Sequence, residues 1–439
     1  MSDKGAFREW VSIVRFGIVQ ASIVSITVLP ISTIPRLMIK ELSLLAIAPG
    51  ILIGAYYVAQ GSRLPFGYRA DVLGRRTPWI IGGHIVLAIA GVLTCLSVWL
   101  MSLDVVLGYV AAMLSFGLVG VGVGAAGTTL FALIATTVHP VRRAPAATVV
   151  WLLMIAGLAF TAGMAGAALD PFSYARLVDV AITVSIIAVI VSTVGLWGIE
   201  ANLSDPHPPE AKADRSWAAM RRAIDEIWHE PAARTLTIFI FASMFAFNMQ
   251  ELVLEPFSAA VYGYSVAEST TLGSFHRTGI LIGLIVAAVS GSLLKSRPQT
   301  VVALAIGGCV ASAALLVTIA FSGFVAPAWP LQPTIAVYGV SNGVFAGAAV
   351  ASIFSLASVG RERREGTRMG LFGLAQAAGF GLGMLSGAIG LDLARAALGE
   401  ISAYATVFFV EAAVFLLAAT LALKLSRAPA LDAPAPMTA

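Results

Sequence analysis

Hydrophobic and polar positions along this 439-residue chain alternate in long blocks, not at the two-residue period of strands. Apolar runs of about 20 residues recur from end to end, the length one helix needs to cross a bilayer. The pattern predicts twelve helices, near 12–34, 45–62, 78–101, 107–136, 146–169 and 177–199, then 234–256, 270–294, 300–322, 333–358, 368–390 and 403–425. Between the sixth and seventh lies the one extended polar segment, "EANLSDPHPPEAKADRSWAAMRRAIDEIWHEPAAR". Within it Trp217, Met220, Ile224 and Trp228 recur at helical spacing, which predicts a helix lying along the membrane surface. The chain thus divides into residues 1–11, a six-helix bundle 12–199, a central loop 200–233, a second six-helix bundle 234–425 and a tail 426–439. The tail, with "APALDAPAPMTA", is expected to be disordered. The fold class is an all-α integral membrane protein.

Charge adds an orientation. An even number of spans puts both termini on one side, and 22 of the 27 Lys and Arg residues then fall on that side. The others are Arg36, Lys40, Arg176, Arg277 and Arg395. This positive-inside bias predicts cytoplasmic N- and C-termini. Only 11% of residues are charged and 59% are hydrophobic, against about a quarter charged in soluble domains. The net charge of +4 therefore reports topology and gives no reason to expect nucleic acid. Cys95 and Cys309 both fall within spans, so no disulfide framework is expected. "MSDKGAFREW" has no signal-peptide core.

One loop carries a motif. "GYRADVLGRR", between spans two and three, holds Gly67, Asp71, Gly74, Arg75 and Arg76. Its G-x-x-x-D-x-x-G-R-R spacing resembles the signature loop of the major facilitator superfamily, and the resemblance implies that superfamily's twelve helices in two six-helix bundles. Glycines permit the tight turn, and the arginines can bind a carboxylate and helix C-terminal carbonyls, so that the loop acts as a cytoplasmic gate. The equivalent loop between spans eight and nine, "KSRPQT", has neither Asp nor Gly.

Absences narrow the chemistry. Span four has no charge, and span five lacks a Gly-Pro antiporter pattern. There is no Walker loop, no His/Cys cluster of zinc type and no paired Asp-x-x-x-Asp motif, so no enzyme is expected. So apolar a lining suits a greasy ligand, or none. The close acid pair in apolar context is Glu251 and Glu255, in "FNMQELVLEPF". With Asn248 they fall at i, i+3 and i+7, one stripe of span seven near its outer end. Arg36, Lys40 and Glu41 end span one, and His276 and Arg277 begin span eight, so all could gather at one rim. An ion-pair latch of Glu251 or Glu255 with Arg36 or Arg277 is the first reading; a proton-coupling acid is another.

Three longer phrases point to a family: "PRLMIKEL", "ELVLEPFSAAVYGYSVAEST" and "REGTRMGLFGLAQAAGFGLG", with the shorter "RRTPWIIGG" and "GVGAAGTTLFALIA". Together they resemble the bacteriochlorophyll delivery branch of the superfamily, the PucC- and LhaA-like proteins. "RRTPWIIGG" and "VVWLLMIAGLAFTAG" are most like its member known as a bacteriochlorophyll synthase chain. The resemblance implies a bacterial inner or intracytoplasmic membrane, a bacteriochlorophyll or precursor as ligand, and light-harvesting polypeptides or bacteriochlorophyll synthase as partners, besides membrane lipid. It also implies a role in pigment handling and in assembling light-harvesting or pigment-synthesis complexes. Under it, Glu251, Glu255 or His84 becomes a candidate ligand for pigment magnesium, a hard cation that favours oxygen. A lone membrane histidine such as His84 is read first as hydrogen-bonded within its bundle. Glu411, in span twelve, is read first as internally bonded and otherwise as facing a partner.

The glycines at 370, 373, 379, 381, 383, 387 and 390 read as helix packing, with a macrocycle face as the sharper alternative. Tyr56, Tyr57, Phe239, Phe245 and Phe257 read as core or lipid contact; His139, His207 and His229 read as solvated loop residues. A phytylated macrocycle is too large for a sealed aqueous cavity, so lateral access between helices is expected. The competing functions are a secondary transporter of a small apolar solute and a non-catalytic scaffold subunit of the pigment-synthesis enzymes.

Overall fold

A computed structural model describes residues 3–44, 47–139, 142–200, 216–293, 298–357 and 364–426. The expected disordered tail, the Pro-rich start of the central loop, His207 and the first half of "KSRPQT" lie outside them. Among the described residues all regular structure is helical. In chain order the α-helices are α1 (Asp3–Val28), α2 (Ile34–Lys40), α3 (Ile47–Ala59), α4 (Arg63–Leu73), α5 (Thr77–Met101), α6 (Val105–Thr137), α7 (Arg143–Ala168) and α8 (Tyr174–Leu196). They continue with α9 (Trp217–His229), α10 (Pro231–Met249), α11 (Leu254–Tyr262), α12 (Val266–Leu293), α13 (Pro298–Ser322), α14 (Leu331–Ala357), α15 (Glu365–Ala397) and α16 (Glu400–Ser426).

Eleven helical stretches among the described residues are long and apolar enough to cross a membrane. The difference from twelve lies at the second span. There α3 has only 13 residues before the polar Gln60–Ser62 tightens into a 3-10 turn, and the chain then continues as α4 to Leu73, beyond the expected end at 62. Span one is also interrupted: a π-helical turn at Leu29–Thr33, with Pro30 at its start, joins α1 to α2.

Local chemistry sets the ends. Gly74, at φ 64°, closes α4 in the left-handed conformation that glycine tolerates. The Asp104 side chain accepts from the Leu107 N–H at 2.9 Å and caps α6. At α12, Ser265 and Glu268 exchange bonds in a capping box, the Glu268 carboxylate accepting the Ser265 N–H at 2.8 Å. The family phrase "YGYSVAEST" is therefore partly the grammar of a helix start.

The chain divides into two compact units. Unit 1 gathers Met1–His139, Val149–Ile224 and Arg361–Leu374; unit 2 gathers Pro140–Thr148, Asp225–Gly360 and Ala375–Ala439. Unit 1 buries Phe16 and Phe116 fully, and in unit 2 the buried Phe257 is met edge-on by Tyr262, Tyr404 and Phe408. In unit 2, Gly379, Gly383 and Gly387 of α15 lie against backbone carbonyls of α10; a Cβ at Gly383 would stand 2.2 Å from the Phe245 oxygen. The small-residue face is a close helix contact there. In α9 Met220, Ala223 and Ile227 are buried, whereas Trp217 and Trp228 stay exposed, as residues facing a membrane surface would be.

Candidate functional site

The signature loop folds into a buried polar joint within unit 1. Asp71 ends α4 beside the first turn of α15. Its Oδ1 accepts the Gly366 N–H at 2.7 Å, and its Oδ2 accepts the Thr367 N–H at 2.7 Å and the Thr367 hydroxyl at 2.9 Å. The carboxylate thus meets the open N–H groups of a helix N-terminus. Arg76 bridges Asp71 at 3.5 Å and Glu365 at 3.2 Å, and its other amino group donates to Thr136. Glu200 accepts the backbone N–H groups of Arg76 and Thr77 at 2.6 and 3.0 Å. At Gly67 an added Cβ would lie 2.0 Å from the Gly366 oxygen, so the glycine is what lets α4 and α15 touch. Burial pushes the Asp71 carboxyl up to about 6, against the opposing pull of Arg76 and the two N–H donors; neighbouring Glu365 adds to the rise. Arg75, expected to share the work of Arg76, is exposed and carries no bond of this kind among the described residues. Glu200, Glu365 and Thr367 were not singled out in the sequence, because they are distant along the chain from the motif they complete.

The rim stripe does not form as expected. Gln250–Leu252 is a 3-10 turn, so α10 ends at Met249 and a separate α11 begins at Leu254. The change of helix destroys the i, i+3, i+7 alignment. Asn248 turns inward and donates to the Phe380 carbonyl at 2.9 Å. Glu251 faces Arg277 at 4.0 Å with both side chains more than half exposed, a weak pair. Glu255 is exposed, and its carboxylate lies on the Gly273 side of α12 together with Arg277. Arg36 and Glu41 are exposed and form no ion pair among the described residues.

His276 leaves the rim altogether. It is buried, stacked on Tyr338 with centroids 5.3 Å apart, and its Nε2 accepts from Asn342 at 3.1 Å and meets the Gln250 amide at 3.3 Å. Tyr338 donates to Glu411 Oε1 at 2.8 Å, and Ser312 donates to Asn342 at 2.9 Å. Glu411 is fully buried and its Oε2 has no hydrogen-bond partner among the described residues. His84 is likewise enclosed: Nε2 lies 2.9 Å from the Ser22 hydroxyl and Nδ1 3.0 Å from the Ile80 carbonyl. Both ring nitrogens face protein groups and the ring is fully buried, so the described structure gives a pigment magnesium no approach to His84. One further charge is out of place. Arg63 is buried, and among the described residues its guanidinium bonds to Gln60 alone, at 2.6 and 3.1 Å.

A spacious groove lies elsewhere. A groove of about 760 Å³ runs between α1, α7 and α8 of unit 1, inside the roughly 300–1,000 Å³ range of small-molecule sites. It is walled by exposed apolar side chains such as Phe160, Met164 and Ile187. Its few polar groups include a hydroxyl pair, Thr161 donating to Ser25 at 2.8 Å, and the carboxylate of Asp179. Asp179 escaped notice because span six was expected to start near 177, which makes it an end residue; α8 begins at Tyr174, a turn earlier. An acid inside "YARLVDVAITVSIIAVI" was the available signal.

A family profile described as PUCC protein matches residues 33–430. The bacteriochlorophyll synthase 44.5 kDa chain of Rhodobacter capsulatus is 40% identical over 415 residues, spanning 94% of this chain and 95% of that protein. Protein PucC of Rhodovulum sulfidophilum is 27% identical, over 89% of this chain and 87% of its own. Among solved structures, a bacterial homologue of the iron transporter ferroportin in an outward-facing state superposes with a TM-score of 0.75 at 12% identity, covering 96% of this chain and 99% of that one. The E. coli fucose:proton symporter FucP, a major facilitator superfamily transporter, does so at 0.67 and 14% identity, covering 96% and 99%. At such identities the likeness speaks for the fold alone, and the fold is the one the signature loop implied. This chain, a multi-span membrane protein of major facilitator fold, belongs to the PUCC protein family.

Proposed function

We propose that the chain is a non-enzymatic bacteriochlorophyll-handling factor of photosynthesis. It takes pigment or a precursor from the membrane and passes it to light-harvesting polypeptides or along the pigment-synthesis machinery. The observation that carries this reading is the groove between α1, α7 and α8, which is apolar and bordered by exposed span residues. A ligand entering there need never cross water, as a phytylated macrocycle requires. The printed name of the 40% identical relative connects the family to the same pigment. The positive-inside bias supports an orientation with the Asp71–Arg76 joint and both termini on the cytoplasmic side. The joint between α4 and α15 is then a breakable clasp on that face, built from charge-assisted bonds.

Transport of a small apolar solute is the second reading, favoured by the fold of the ferroportin homologue and FucP. Purification in mild detergent from a bacteriochlorophyll-producing host separates the two. Handling predicts a near-infrared absorbing pigment that co-elutes with the protein. Colourless protein that drives solute accumulation in vesicles sinks the handling reading.

A further inference from the structure

The groove of unit 1 has a polar end and an apolar end. Along α8 it runs from Asp179 to Val191, roughly 18 Å at 1.5 Å per residue, and along α7 from Ala168 back to Leu153, roughly 22 Å. Asp179 stands at one end, exposed, with no bond to its carboxylate among the described residues. Its own backbone carbonyl accepts from Thr183 at 2.8 Å, and the neighbouring Arg176 is turned away to the Pro171 carbonyl at 2.7 Å. At the other end Ile18, Leu153 and Val191 offer only hydrocarbon. The Thr161–Ser25 hydroxyl pair lies between.

An unpaired carboxylate within a membrane span is costly, and such residues mark sites that bring their own compensation. The compensation must be electropositive and must arrive on an amphiphile long enough to fill the groove. The mid-groove hydroxyls are satisfied internally, Thr161 donating to Ser25 and Ser25 to the Ala21 carbonyl at 2.9 Å, so they tolerate a ligand without demanding one. A magnesium tetrapyrrole with an isoprenoid tail meets both conditions, and a phospholipid amine is the competitor that the test below distinguishes. Resting on the pigment-handling reading above, we propose that this groove seats one such pigment, with Asp179 as the axial oxygen ligand of its magnesium. Thr161 rotates its O–H from Ser25 to a ring carbonyl, and the tail lies along Leu153 and Val191. Magnesium favours a hard carboxylate oxygen, so the metal and not the ring sets the strength of the Asp179 contact.

The test titrates the detergent-purified full chain with bacteriochlorophyll a and, separately, with its magnesium-free bacteriopheophytin, following the visible and near-infrared bands. Four proteins are compared: wild type, Asp179→Asn, Asp179→Glu, and Ala156→Trp, which fills the groove from an exposed position on α7. Asp179→Asn should weaken bacteriochlorophyll binding at least tenfold and shift the coordination-sensitive visible band, while leaving bacteriopheophytin binding unchanged. Asp179→Glu should restore binding, and Ala156→Trp should weaken both pigments. Melting curves identify any variant that fails to fold, and the Asn/Glu pair decides the matter if Ala156→Trp does. Wild-type affinity in both Asp179→Asn and Ala156→Trp overturns this site while leaving pigment handling intact. A wild-type chain that binds no pigment, or whose groove retains only phospholipid by native mass spectrometry, overturns it too; the first of these also removes the handling reading.

Discussion

At Asp71, burial and hydrogen bonding pull in opposite directions, and burial prevails. Its carboxyl titrates near 6 in the folded protein and at 3.8 when free. A raised value means that the folded form holds the proton more tightly. This group's contribution is therefore complete below about 3.8 and is lost as pH rises through about 6. The joint between α4 and α15 should be up to about 3 kcal/mol tighter at the acid end of that window. Melting temperatures in detergent between pH 4 and 7.5 should fall with pH in wild type, and the slope should flatten in Asp71→Asn. An unchanged slope refutes the assignment. Arg63 makes a second case at this scale. A buried cation bonded only to an amide is a burden on stability, so Arg63→Met should be neutral or raise stability by about 1–4 kcal/mol. The Tyr338–Glu411 pair behaves in the opposite way. Tyr338→Phe strips the only donor from a buried carboxyl and should cost about 1–3 kcal/mol by the same melting assay. Glu411→Gln keeps the acceptor and should cost little.

Helices in this protein meet through glycine where their backbones touch. Gly383 of α15 is one such instance in unit 2, since its missing side chain is replaced by the Phe245 carbonyl of α10. Gly383→Ala should force the two helices apart and cost about 1–3 kcal/mol, the usual penalty for overfilling a packed contact. Gly117, on α6, has nothing within 4 Å of where its Cβ would be, so Gly117→Ala should be neutral or slightly stabilising through helix propensity. Equal melting shifts in the two variants would show that contact geometry does not decide the outcome. The break at Gln250–Leu252 acts at the same scale. It ends α10 so that Asn248 and Glu251 no longer share a face, which a periodicity rule assuming one continuous helix cannot anticipate.

For the molecule as a whole, the prediction concerns what it does not catalyse. A handling factor moves pigment without making or breaking its bonds. The purified chain, given bacteriochlorophyllide, a prenyl diphosphate and magnesium, should form no esterified pigment above the protein-free control. Any turnover abolished by heating would make the chain an enzyme and end the non-catalytic reading.

Most of the spans, the signature loop and the family phrases were legible from residue order, because each depends on local hydrophobicity or short spacing. Bilayer thickness imposes a length on apolar runs, and a motif such as "GYRADVLGRR" carries its turn within ten residues. Folding in three dimensions decided which partners those residues find. Glu200 and Glu365 reach the Arg76 region from more than a hundred positions away. His84 and His276 each turned Nε2 to side chains of other helices, and Asp179 came to line a groove shared with α1 and α7. Hydrophobicity tells a helix that it must be in the membrane, but a polar side chain's role follows from the helix it faces, and facing is settled only when the helices pack.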